Sequence, residues 1–199
     1  MSNAPQRVGM FGGAFDPPHR AHVALAQAAV QQLGLDRLYV FPTGDAWHKA
    51  RTLTPAEHRL AMARLAFEAV PAVVVDDREL RRSGPTYSID TLRELQAEYP
   101  AAALFLLMGE DQAAGFTTWR AWQDIAQLAS LAVVQRGTGA GVASLQALPG
   151  VRVQPLALPP MPESATDIRN RLAGGQDITQ LVDPRVASYI ARHNLYSPT

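Results

Sequence analysis

Short apolar, β-rich runs alternate with helical patterns along almost the whole chain, and this alternation most restricts the fold. Strands are expected at Arg7–Phe11, Arg37–Pro42, Ala72–Val75, Leu104–Met108, Leu131–Gln135 and Val151–Leu156. Helices are expected near His22–Leu33, Pro55–Val70, Ile89–Tyr99, Trp119–Ala129 and Ala143–Leu148, then near Ala165–Ala173 and Pro184–His193. The strand runs are almost continuously apolar, which suits strands covered on both faces. Such a chain closes as an α/β fold, a single doubly wound domain over residues 1–199 built on a parallel sheet, Rossmann-like in outline.

Several boundaries have a local cause. Thr54-Pro55-Ala56-Glu57 reads as a capping box with proline at the first helical position. Ser164-Ala165-Thr166-Asp167 repeats the cap with a shorter acid, Asp183-Pro184 is a third start, and Gly174-Gly175 a stop. No linker, repeat or low-complexity tract interrupts the pattern. The glycine-rich stretch Gly137–Gly141 lacks the Lys-Ser/Thr ending of a P-loop, so a surface loop without a phosphate role is expected there.

Composition narrows the partners. The chain has 199 residues, 47% of them apolar, with a formal net charge of zero. That length supports one full core, burying roughly 70% of the unfolded surface. Zero net charge argues against a general nucleic-acid binder, which carries a basic excess. There is no cysteine, so thiol chemistry and cysteine-rich zinc sites are excluded. No charged-then-apolar signal segment opens the chain, and no run approaches the roughly 20 apolar residues of a membrane helix. A cytoplasmic protein with no membrane partner is expected. A homo-oligomer is left open.

In doubly wound folds ligands bind beyond the carboxyl ends of the strands, so the residues just after strands carry most weight. After the first strand comes Gly12-Gly13-Ala14-Phe15-Asp16-Pro17-Pro18-His19-Arg20-Ala21-His22. A glycine turn opening a helix offers free backbone N–H groups and a favourable helix dipole, and His19 and His22 add imidazole donors. The target is a polyphosphate rather than a metal, since no third histidine or cysteine sits at ligand spacing.

Four other segments stand out. Lys49, in Trp47-His48-Lys49, follows the second strand. Arg81-Arg82-Ser83-Gly84-Pro85-Thr86-Tyr87-Ser88-Ile89-Asp90-Thr91-Leu92 is a Gly-Pro turn leading into a helix that Ser88 could cap. Gly109-Glu110-Asp111 follows the fourth strand and places a carboxylate where a ribose could be held, and Trp119 and Trp122 follow it on what reads as one helix face. Ser164-Ala165-Thr166-Asp167-Ile168-Arg169 sets hydroxyls at a helix N-terminus with an arginine in the next turn, a second anion site.

These strings resemble a known family. The first is similar to the GGTFDPxHxGH signature of nucleotidyltransferases, with Ala14 for the usual hydroxyl residue and Ala21 for the usual glycine. The Gly84–Leu92 string resembles the Gly-Pro-Ser-Tyr-Thr-Ile-Asp-Thr-Leu signature of nicotinate-nucleotide adenylyltransferases, with Thr86 and Ser88 keeping the hydroxyls. Residues 164–169 resemble the family's Ser-Ser-Thr-x-Ile-Arg, with Ala165 for a serine and Glu163 where isoleucine is usual. Val186 to Tyr196 matches the family's closing helix and reads as packing only.

The resemblance implies transfer of AMP from ATP to nicotinate mononucleotide in NAD biosynthesis, with pyrophosphate released and no covalent enzyme intermediate. It implies catalytic roles for His19, His22 and Arg169, and ATP binding by Gly12, Gly13, Phe15, Gly109, Asp111, Ser164 and Thr166. Lys49, Thr86, Tyr87, Ser88 and Trp119 would bind the acceptor, with Trp119 stacking on the pyridine ring. Mg²⁺ would be carried with ATP, held by its oxygens and water rather than by a protein metal site. The alternatives are a relative that adenylylates nicotinamide mononucleotide or phosphopantetheine, and a non-catalytic nucleotide sensor, for which Ala14, Ala21 and Glu163 are the support.

Overall fold

The computed structural model describes residues 6–44, 53–134 and 139–197. Its strands are β1 (Arg7–Gly13), β2 (Arg37–Pro42), β3 (Val73–Val75), β4 (Ala103–Met108), β5 (Ala129–Val134) and β6 (Val153–Leu156). All six join one sheet in the order β3-β2-β1-β4-β5-β6, and every pairing is parallel. The six expected strands are all present, with ends shifted by up to two residues; Gln135 lies outside the described residues.

Successive side chains point to opposite faces and feed two cores. Leu38, Val40, Phe105, Leu107, Ala132 and Val134 enter one. Val8, Met10, Tyr39, Phe41, Leu104, Leu106, Leu131 and Val133 enter the other. The first face is covered by α1 (Arg20–Leu33), α2 (Ala56–Phe67), α8 (Ala165–Ala173) and α9 (Pro184–Arg192). The second is covered by α4 (Ser88–Glu98), α5 (Glu110–Ala114), α6 (Trp122–Leu128) and α7 (Ala140–Gln146). A short helix, α3 (Arg78–Arg81), follows β3. Among the described residues no helix is long and apolar enough to cross a membrane.

Several ends follow the local chemistry. Ser164 caps α8 by accepting the Asp167 N–H at 3.0 Å. The Asp183 carboxylate accepts the Arg185 N–H at 2.8 Å ahead of Pro184, and α8 stops at Gly174-Gly175. Helix α1 ends at Gly34, whose φ of 59° is left-handed and needs no Cβ to be accommodated.

Other ends depart from expectation. Helix α2 starts at Ala56, not Pro55, and has no side-chain cap; the Thr54 N–H donates to the Asp16 carboxylate at 3.2 Å. Tyr87 occupies the cap of α4, so Ser88 is the first helical residue and not the cap. Helix α6 starts at Trp122 rather than Trp119, since Ala121 is left-handed at φ 53° and breaks the expected run. Helix α7 begins at Ala140, so the end of the expected glycine loop is helical; a Cβ on Gly141 would stand 2.9 Å from the Glu110 Cγ of α5.

Candidate active site

The chain runs from β1 outward to β2 and β3, then crosses back to β4 on the other side of β1. The C-terminal ends of β1 and β4 therefore part at a topological switch point, where ligands bind in such folds. Gly12 and Gly13 stand at that end of β1, paired with Phe41 and Pro42 of β2. A Cβ on Gly13 would meet the Phe15 ring at 3.0 Å, so a glycine there lets the turn close over the phenylalanine.

Phe15 is only 1% exposed. Its ring lies edge-on to Phe11 and Phe67, with centroids 5.3 and 5.7 Å away, and packs 5.1 Å from His22. Phe15, expected to bind ATP, thus has its ring in the core. What the ring does is support His22.

His19 caps α1 in an extended conformation, and its backbone N–H donates to His22 Nδ1 at 3.2 Å. The two imidazoles lie 3.7 Å apart, centroid to centroid. A ring nitrogen that accepts holds no proton, so neutral His22 carries its proton on Nε2 and donates from there. One N–H the sequence offered at this helix start is already used, since Arg20 donates to the Leu181 carbonyl at 2.9 Å.

The second expected anion site lies beside the first. Arg169 Nη1 donates to the Asp16 carbonyl at 2.8 Å and Nη2 to Thr166 Oγ1 at 3.0 Å. The exposed hydroxyls of Ser164 and Thr166, at the N-terminus of α8, are thereby tied to the loop that leads into α1. Glu163, the odd residue ahead of them, has its Oε2 buried without a hydrogen bond among the described residues, and nothing in the structure explains it.

Two buried groups that sequence reasoning missed hold this loop. Asp16, 1% exposed, accepts the Tyr196 hydroxyl at 2.5 Å and the Thr54 N–H at 3.2 Å. Arg59, 3% exposed, donates to the carbonyls of Thr54, Ala14 and Thr43 at 2.9, 3.1 and 2.7 Å. Arg59 sits in an ordinary helical pattern and gave no signal. The expectation that Tyr196 serves packing alone is overturned by its bond to Asp16.

On the other side of the glycine pair is a cavity of about 650 Å³. Gly12, Gly13, Thr86, Tyr87, Ser88 and Trp119 all line it, so most of the predicted acceptor residues are brought together. Trp119 is held in extended backbone between a 3₁₀ turn at Phe116–Thr118 and α6, rather than sharing a helix face with Trp122. Trp122 packs against Phe116 at 6.0 Å, in the core. The Arg120 guanidinium lies 4.5 Å over the Tyr87 ring at the same wall.

The floor of the cavity holds Glu79, which the sequence reading did not single out. It is 4% exposed and accepts the Thr91 hydroxyl at 2.7 Å, while Arg82 donates to that same hydroxyl oxygen at 2.8 Å. Burial pushes the Glu79 carboxyl above its usual range, with the Thr91 bond opposing the rise. Thr86 and Thr43 hydroxyls meet at 3.2 Å beside it.

Gly109 and Asp111 do not line the cavity; Gln112 of α5 does, and its Oε1 accepts the Gly109 N–H at 3.0 Å. Asp111 is exposed on the first turn of α5, beyond the end of β4. His19, His22, Ser164, Thr166 and Arg169 stand outside the cavity, grouped around the turn between β1 and α1. Lys49 lies outside the described residues.

The cytidylyltransferase-like family profile matches residues 10–171. The "Probable nicotinate-nucleotide adenylyltransferase" of Albidiferax ferrireducens is 54% identical over 194 residues, covering 96% of this chain and 98% of the relative. The protein of the same name from Bordetella petrii is 45% identical, covering 96% and 99%. Among solved structures, the Plasmodium falciparum nicotinic acid mononucleotide adenylyltransferase complexed with NaAD superposes with a TM-score of 0.78 at 18% identity, covering 96% of this chain and 97% of that one. That likeness concerns the fold alone. With the sequence identity spanning nearly all of the chain, and with the histidine turn and the Gly84–Leu92 segment both facing the switch point, the chain belongs to the nicotinate-nucleotide adenylyltransferases of the cytidylyltransferase-like family.

Proposed function

We propose that the protein transfers the AMP moiety of ATP to the phosphate of nicotinate mononucleotide, forming nicotinate adenine dinucleotide and pyrophosphate. The observation that carries this reading is that Gly12 and Gly13 belong to two places at once. They close the two-histidine turn on one side and line the 650 Å³ cavity walled by Tyr87 and Trp119 on the other. A phosphate chain over the turn and a pyridine nucleotide in the cavity would meet at the glycine pair.

The nucleophile is a phosphate monoester oxygen, already largely ionised because its second pKa is about 6, so no general base is required. That oxygen bonds to the α-phosphorus as the bond to the bridging oxygen of the β-phosphate breaks, and pyrophosphate leaves with the electron pair. Mg²⁺ enters with ATP as part of the substrate, bound by phosphate oxygens and water. The protein aligns the partners and steadies charge on the phosphoryl oxygens. His22 Nε2–H and His19 would donate to those oxygens, and Arg169 with the Ser164 and Thr166 hydroxyls would hold the departing phosphates.

Three features support the acid over the amide as acceptor. Hydroxyls of Thr43, Thr86 and Ser88 line the cavity, the Arg120 guanidinium sits at its wall, and the Glu79 carboxyl is engaged by Thr91. A carboxylate wants donors of this kind. Trp119 supplies a face for the ring.

The test is pyrophosphate release by the full chain with ATP and Mg²⁺, comparing nicotinate mononucleotide, nicotinamide mononucleotide and phosphopantetheine. Preference for the nicotinate acceptor, lost in His19→Ala, is the expected result. Preference for another acceptor overturns the substrate, and ATP binding without transfer to any acceptor overturns the reaction.

A further inference from the structure

Beyond the helix α9 the chain makes two left-handed turns at non-glycine residues, Asn194 with φ 50° and Tyr196 with φ 64°. Asparagine enters this region readily, but a bulky aromatic residue avoids it, so at Tyr196 the conformation is held by what surrounds it. Its result is to turn the Tyr196 ring inward, where the hydroxyl donates to Asp16 Oδ1 at 2.5 Å across 180 residues of sequence. Leu195 and Tyr196 also pack on the core beneath α1 and α2.

Asp16 is a junction. Oδ1 takes the Tyr196 hydroxyl, Oδ2 takes the Thr54 N–H, and its carbonyl takes the Arg169 guanidinium. A carboxylate 1% exposed depends on such donors, because water does not reach it. Losing one leaves a buried charge undercompensated and the loop around it free to shift. The same loop carries His19 three residues on, and its carbonyl orients Arg169.

We propose that Tyr196 is a positioning residue for the nucleotide phosphates, acting through Asp16 to hold Arg169 and the histidine turn in register. This rests on the reading of that turn as the ATP site. Burial, and then the Asp16 carboxylate, push the phenol well above its usual range, so it remains a donor at any pH the enzyme meets. Asp16 bonds directly to Arg169 on the phosphate side, whereas it reaches the acceptor cavity only at one remove, through Thr54 and Arg59 to the carbonyls of Ala14 and Thr43. Its influence therefore falls on ATP more than on the acceptor.

The experiment is calorimetric titration of Mg²⁺·ATP into the full chain and into Tyr196→Phe, Asp16→Asn and the double variant, with steady-state KM for both substrates and a thermal melt of each. Tyr196→Phe removes one oxygen and keeps the ring in its packing. Expected are ATP affinity weakened about tenfold, as the loss of one hydrogen bond to a charged group implies, KM for ATP raised in step, and KM for nicotinate mononucleotide within about twofold of wild type. The double variant should be no worse than Asp16→Asn alone, since both act on one junction. Unchanged ATP affinity in Tyr196→Phe, or equal rises in both KM values, overturns the proposal. If Asp16→Asn does not fold, Tyr196→Phe alone decides. Because the titration needs no acceptor, a wild-type protein that binds ATP but transfers it to nothing sinks the proposed reaction without touching this result.

Discussion

His22 Nδ1 accepts the backbone N–H of His19 at 3.2 Å while the two rings, tilted by 30°, lie 3.7 Å apart, centroid to centroid. One imidazole edge thus closes the start of α1, and the proposed reaction gives the opposite edge to the phosphates, two duties that substitution can separate. Asparagine places an oxygen near the Nδ1 position but has no donor at the reach of Nε2. His22→Asn is expected to keep its melting temperature within about 2 °C of wild type and to lose about 10²- to 10³-fold in kcat, the usual cost of one transition-state donor. Pyrophosphate release and a melt on the same preparation check this, and a parallel loss of both would refute the division of labour.

Gly44, just past β2, marks a close approach on the acceptor side. A Cβ there would stand 2.5 Å from the Glu79 carbonyl oxygen and 3.1 Å from Thr86 Cγ2. Gly44→Ala is expected to cost about 1 to 3 kcal/mol in urea unfolding, as overpacking does. By pushing Thr86, it should raise KM for nicotinate mononucleotide more than KM for ATP.

Arg59 ties three carbonyls from three segments: Ala14 after β1, Thr43 after β2 and Thr54 before α2. Arg59→Met keeps the aliphatic stem and removes every donor. The expected loss is about 2 to 4 kcal/mol, from three half-buried acceptors left short of partners. Equilibrium urea unfolding with unchanged m would give the value directly.

Glu79 gives a pH prediction with a definite sign. Its carboxyl is raised in the fold above the value of 4.5, so the folded chain holds that proton more tightly than the unfolded one. Its contribution is fully present below about pH 4.5 and is lost as pH rises through the folded value. Asp36, held low by the Gln6 and Arg7 N–H groups, and Asp183, held low by Arg185, run the opposite way and are common to both proteins. The stability of Glu79→Gln relative to wild type should therefore improve between pH 4.5 and 8. A difference that stays flat across that range would show that the carboxyl is not perturbed.

How much of this was legible follows from where each cause lies. Alternation of apolar runs placed all six strands, because sheet burial on both faces leaves its mark within each segment. The caps at Ser164 and Asp183 were legible for the same reason: donor and acceptor are two or three residues apart. The start of α6 was not, since Ala121 takes a left-handed conformation that no glycine or asparagine announces. The core role of the Phe15 ring, packed edge-on to Phe11 and Phe67, was not legible in a motif read for its ligand. Arg59 holds carbonyls, Glu79 a hydroxyl and Tyr196 a carboxylate on other segments of the chain, and such pairings have no local sequence signature. Trp119 lines a cavity with Tyr87 and Ser88, the other residues named with it, but on extended backbone rather than on a helix.

Strand β1 lies between two neighbours that reach it at very different times. Val8 pairs with Arg37 across one βαβ crossover, whereas Arg7 pairs with Ala103 only after two further strands have been laid down. The second ladder closes the longer loop, at the greater cost in chain entropy. A nucleotide that needs both sides recognises only the finished sheet. It lowers the native state and leaves the barrier to reaching it unchanged, so ATP acts as a brake on unfolding and not as a catalyst of folding.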